Sequence, residues 1–103
     1  MYARLVTFSL VPGERPAAEK GADEFAKVCK ALRGFNSLTL LINGKKDEYG
    51  GLSLWQTEQD AEAAMVTLDA HLQERLSGRL VGKPLIRTFE VYESKAEAQA
   101  TRR

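Results

Sequence analysis

The chain is poor in the residues from which most recognisable sites are built. Of its 103 residues, one is cysteine and one is histidine. The lone Cys29 excludes a disulfide within the chain and points to a reducing, cytoplasmic setting. With no thiolate-stabilising neighbour evident, it reads as a small buried thiol and not as a nucleophile. His71 stands alone, so no Cys/His spacing offers a metal site. Long apolar runs are missing too, and nothing approaches the roughly 20 residues that cross a bilayer. Met1–Leu10 alternates without the basic start and cleavage site of a signal peptide. Charge of one sign is also lacking: fifteen Lys and Arg stand against fourteen Asp and Glu. Lys45–Lys46 is followed at once by Asp47–Glu48, so no basic cluster invites phosphate. Neither nucleic acid nor a membrane is an expected partner. No G-x-S-x-G, G-x-G-x-x-G or phosphate-loop pattern is present.

What is present is a regular alternation of strand and helix signals in a chain of single-domain size. Ala3–Leu10 reads as a strand, ended by Pro12–Gly13. Pro16 suits the first turn of a helix, and Ala18, Ala22, Phe25, Cys29 and Leu32 repeat at helical spacing along one stripe. Gly34 is a natural stop. Phe35–Asn43 and Tyr49–Gln56 read as antiparallel strands joined through Asn43–Glu48, with Gly50–Gly51 marking either a bulge or a close backbone approach, or else ligand access. Thr57 and Asp60 form an imperfect capping box. The following helix presents Ala61, Ala64, Met65, Leu68, Leu72 and Leu76, and stops at Ser77–Gly78. Pro84 then opens a last strand, Leu85–Tyr92. The expectation is an α+β, ferredoxin-like βαββαβ domain over residues 1–93, with a polar tail over 94–103. Its four-stranded antiparallel sheet carries both helices on one face.

The strands hold apolar residues on both faces. Leu38, Leu40 and Ile42 fall on one side of the second strand and Phe35 and Leu41 on the other. Leu52 and Leu54 oppose Trp55, while Leu85, Phe89 and Val91 oppose Ile86 and Tyr92. Two helices shelter one face only, so the other predicts a second copy packed against it. Thr7, Thr39, Ser53, Arg87, Thr88 and Glu90 interrupt the strands, which allows a mixed pocket or plain strand propensity. His71 borders the apolar stripe of its helix, where a neutral imidazole either accepts a proton from a phenol or simply packs. Tyr49 and Arg87 are the other candidate catalytic groups, and Trp55 is either an aromatic wall or a core anchor.

Three segments carry a family resemblance: Tyr2-Ala3-Arg4-Leu5-Val6-Thr7-Phe8 with Pro12-Gly13, Gly34-Phe35, and Leu52-Ser53-Leu54-Trp55-Gln56-Thr57-Glu58-Gln59-Asp60. Together they resemble the antibiotic-biosynthesis-monooxygenase-like family over residues 2–92. The resemblance implies a homodimeric α/β barrel, joined through the open sheet faces, and a hydrophobic aromatic small molecule as ligand. It implies a monooxygenase that needs no cofactor and no metal, oxidising a phenolic or quinol substrate with dioxygen. On that reading His71, Tyr49 and Arg87 are catalytic, and Trp55, Thr7, Phe8 and Met65 bind substrate. The alternative is a non-catalytic small-molecule-binding or stress-related protein on the same scaffold. Haem-degrading relatives carry an asparagine in the first strand and a tryptophan and a histidine in the second helix. This chain lacks the first two, and its histidine is out of register with the iron ligand.

Overall fold

A computed structural model describes residues 1–95, so only Ser94 and Lys95 of the expected polar tail lie among the described residues. The chain runs β1 (Tyr2–Leu10), α1 (Arg15–Lys30), β2 (Phe35–Asn43), a 3-10 turn (Gly44–Lys46), β3 (Glu48–Trp55), α2 (Glu58–Leu76) and β4 (Leu80–Glu90). The sheet is antiparallel in the order β2-β3-β1-β4. This is the expected ferredoxin-like α+β topology. No helix among the described residues is long and apolar enough to cross a membrane.

Local sequence explains the helix boundaries. Pro16 sits in the first turn of α1, where its missing N–H costs nothing. The backbone N–H of Asp60 donates to Thr57 Oγ1 at 3.1 Å, which caps α2. Two ion pairs clamp the helical layer. Arg75 Nε lies 2.7 Å from Glu24 Oε2 across the helix pair, and Arg79 Nε lies 2.7 Å from Glu14 Oε2 at the start of α1.

Even-numbered residues of β1 face the helices, and β3 matches them through Arg4↔Ser53, Val6↔Gly51 and Phe8↔Tyr49. Apolar packing on this face divides in two. One cluster joins Cys29, Trp55, Ala61, Ala64 and Leu68, with Phe35 edge-on to Trp55 at 5.6 Å. The other joins Leu10, Ala18, Tyr49 and Leu76. Among the described residues no helix covers the opposite face of the sheet. There Leu41, Val81, Leu85 and Phe89 are between 41% and 58% exposed.

Two irregularities revise the sequence reading. Phe35 lies on the helix face with Leu38, not opposite it, because the register shifts between Phe35 and Ser37. A strict period of two fails across such a shift. The last strand begins at Leu80 and not at Pro84. Between Thr7↔Leu85 and Ser9↔Val81 the edge strand β4 carries extra residues, with Gly82 at φ +75° and Pro84 in the irregular stretch. Proline is tolerated there because an edge bulge asks for no ladder donor. Gly50–Gly51 form no bulge: their pairing is continuous on both sides, and a Cβ on Gly50 would lie 2.5 Å from the Val6 carbonyl oxygen.

That backbone oxygen cannot swing aside. Gly50→Ala is therefore expected to cost about 2 kcal/mol in urea unfolding. Gly51→Ala, whose Cβ would meet neighbours at 3.6 Å or more, is expected to stay within about 0.5 kcal/mol of the parent. Loss of the α2 cap in Thr57→Ala should cost about 1 kcal/mol.

Candidate functional site

Between the two apolar clusters lies a cavity of about 310 Å³. Its floor is β1 and β3 at Val6, Phe8, Tyr49 and Gly51, and its roof is Ala22 and Phe25 of α1 with Leu68 and Leu72 of α2. The void follows from side-chain size. Gly51 puts no side chain on the helix face, and Ala22 of α1 lines the same cavity with a single methyl. The mouth opens at the edge strand β2, where Leu40 and Ile42 are exposed, and Glu19 and Asp23 of α1 flank it.

Away from the mouth, a part-buried ion pair reaches this largely apolar chamber. Arg4 is 1% exposed, lines the cavity, and donates from Nη2 to Asp69 Oδ1 of α2, while its Nε has no hydrogen-bond partner among the described residues. Asp69 also borders a shallower groove between α2 and β4, beside Lys83 and Ile86. The ion pair thus forms part of the wall between chamber and groove. A hydrogen-bonded chain fixes the strand beneath it: Trp55 Nε1 donates to Ser53 Oγ at 2.9 Å, and Ser53 Oγ donates to the Arg4 carbonyl at 3.3 Å. Neither Arg4 nor Asp69 is among the site residues expected from sequence. A signal for Arg4 exists, since it shares the inward register of Val6, Phe8 and Leu10, where a charge demands a partner. Only the fold shows that the partner is Asp69, 65 positions along the chain.

Of the expected catalytic groups, Tyr49 is in the cavity wall, 4% exposed and stacked on Phe8 at 6.0 Å. His71 stands behind the wall, its ring stacked on Phe25 at 6.2 Å, so Phe25 separates it from the chamber. Arg87 is on the other face of the sheet, paired with Leu5 in the ladder and lying 5.1 Å over the Phe89 ring. The structure does not bring these three together. Among the expected binding residues, Phe8 lines the chamber. Trp55 is fully buried in the first cluster as an anchor, and half-buried Met65 lies outside the chamber wall. Thr7 pairs with Gly50 and Leu85 on the open face.

Cys29 is sealed within the first cluster. Burial pushes its thiol up to about 11, against a smaller opposing pull from the Arg4 charge. Near neutral pH the thiol is protonated and inaccessible. Among the described residues no group of three His, Cys, Asp or Glu side chains is placed to hold a metal ion.

No family model matches the chain, and no curated protein sequence matches it. Solved structures do. A protein of unknown function from Nitrosomonas europaea superposes with a TM-score of 0.79 at 20% identity, covering 91% of each chain. SnoaB, a cofactor-independent oxygenase from Streptomyces nogalater, gives 0.73 at 16% identity over 91% of this chain and 95% of its own. A candidate antibiotic biosynthesis monooxygenase from Caulobacter crescentus gives 0.74 at 18%, over 89% and 90%. The chain therefore has the fold of proteins named antibiotic biosynthesis monooxygenases. At these identities the likeness is one of fold.

The Cys29 shift has a definite sign. The folded-state value is raised above the ordinary 9.0, so the thiol's contribution to stability is complete below about pH 9 and is lost as pH rises towards 11. Urea midpoints of the parent measured against Cys29→Ala should converge over that window. A thiol-reactive disulfide reagent at pH 8 should label Cys29 at least a hundredfold faster in denaturant than in the folded protein.

Proposed function

We propose that this chain is a cofactor-independent monooxygenase working in the cytoplasm as a homodimer. Its substrate would be a phenolic or quinol ring compound held in the chamber between sheet and helices. The observation that carries the reading is the chamber itself. A domain of this size normally closes such a gap to crystal-like density, yet here glycine and alanine hold it open around Arg4 and Tyr49. The likeness in fold to a cofactor-independent oxygenase supports the same reading.

The chemistry asks little of the protein. For a phenol conjugated with a ring methylene, the methylene and one molecule of dioxygen give a ring carbonyl and one molecule of water. Both C–H bonds of the methylene break, one oxygen atom becomes the carbonyl, and the other leaves as water with both hydrogens. The substrate enters neutral; its ring supplies the electrons as the methylene proton leaves, and dioxygen accepts both. The chamber contributes exclusion of bulk water, a fixed orientation, and hydrogen-bond donors beside the developing anion. Tyr49, in the chamber wall, would act on the phenol oxygen.

The second copy would cover the open sheet face. Leu41, Val81, Leu85 and Phe89 on that face are apolar and exposed, and their burial is worth roughly 25 cal/mol per Å². The ring of Phe89 already carries Arg87 above it, so that guanidinium would lie at the edge of the joint.

An oxygen electrode with a panel of reduced quinols, polyphenols and hydroxyanthrones tests the chemistry. Uptake above the protein-free rate is expected, with one atom of labelled dioxygen in the ketone product. Gly51→Val, which fills the chamber, should reduce uptake at least tenfold while the fold is kept, and Tyr49→Phe should reduce it less. Uptake equal to the protein-free rate across the panel would remove the oxygenase reading; ligand binding without uptake would favour the non-catalytic alternative. Sedimentation at micromolar concentration should give the mass of two chains, and Leu85→Lys with Phe89→Lys should return one. A single-chain mass for the parent would overturn the dimer.

A further inference from the structure

We infer that the Arg4–Asp69 pair makes the chamber selective for an uncharged ring compound that presents a carbonyl oxygen, received by the guanidinium donors that Asp69 leaves unused. This rests on the reading of the chamber as a ligand site, and goes beyond it in naming the recognition residue and the group recognised.

Donor capacity carries the first part of the argument. A guanidinium has five N–H donors and no acceptor. Arg4 spends an Nη2 donor on Asp69, and its Nε is buried with no partner among the described residues. An unmet donor at such depth is costly, and in native proteins it usually marks a position that a water or ligand fills. The apolar lining, Val6, Phe8, Phe25, Leu68 and Leu72, has no side-chain acceptor, and apart from Asp69 the lining's side-chain acceptors are the Tyr49 hydroxyl and the Glu19 and Asp23 carboxylates, none of which is bonded to Arg4. Whatever meets Arg4 in the chamber must therefore bring an acceptor on an otherwise apolar body.

Charge carries the second part. Asp69 already balances Arg4, so a ligand carboxylate would leave the chamber with an unpaired negative charge. Glu19 and Asp23 at the mouth would also repel it on approach. A neutral carbonyl escapes both penalties and still receives a charge-assisted hydrogen bond.

The probes are tetralin, 1-tetralone and 1,2,3,4-tetrahydro-1-naphthoate, three ligands on one bicyclic frame. They are titrated into the full chain, with the Arg4 Nε–H resonance followed by proton–nitrogen correlation NMR. Tetralone is expected to bind and shift that resonance downfield, and to bind at least tenfold tighter than the carboxylate. In Arg4→Lys, which keeps the charge and loses the fork, the preference for tetralone over tetralin should fall at least fivefold. Three results would each overturn the inference: tetralone leaves the Nε–H unmoved, the carboxylate binds as tightly as the ketone, or none of the three binds. The Nε–H reading is made on the parent chain, so it decides the matter even where the variant unfolds. Oxygen plays no part in the titration. A protein that takes up no oxygen yet keeps this selectivity loses the oxygenase chemistry alone.

Discussion

The register between the two central strands is the constraint on which the rest depends. Pairing Arg4 with Ser53, Val6 with Gly51 and Phe8 with Tyr49 decides which side chains the helices meet. It places a glycine at the middle of the sheet's covered face and a charge two residues away on the neighbouring strand. A slip of one residue would turn Leu5 and Leu52 inward and send Arg4 to the open face. The close contact of Gly50 with the Val6 carbonyl helps hold that register, since it brings the two backbones nearer than a side chain permits.

The chamber and the buried charge are two consequences of one arrangement. The buried apolar residues close into two separate clusters, and members of both line the chamber. Such a gap forgoes dispersion contacts that a filled core would make. The Arg4–Asp69 pair adds little net stability, because desolvating a guanidinium offsets most of the Coulomb gain. Neither feature is explained by the needs of folding. Both fit the ligand chamber proposed above, which would have to stay open and able to donate a hydrogen bond.

Element order, the α1 stripe, the cap at Thr57 and the surplus of apolar strand residues are legible because each is a local pattern. Facing is misread where local periodicity is interrupted. Strict alternation puts Phe35 on the wrong face because the shift between Phe35 and Ser37 follows from pairing with β3, not from composition. Pro84 looks like a beginning because proline is rare inside strands, yet β4 lies at an edge and bulges there. Of the site residues, Tyr49 and Phe8 are recognisable as inward aromatics. Chemistry alone groups Tyr49, His71 and Arg87, and the fold separates them into the chamber wall, the space behind Phe25 and the far side of the sheet.

By itself the sequence determined a split βαβ order, two amphipathic helices for one sheet, and the absence of an intrachain disulfide. Those conclusions rest on the periods of helix and strand and on residue type, which are properties of short segments. Only the tertiary structure decided that Gly51 and Ala22 line one void, and that Asp69 comes to Arg4. Such contacts join residues far apart in the chain, and strand register together with helix placement sets them.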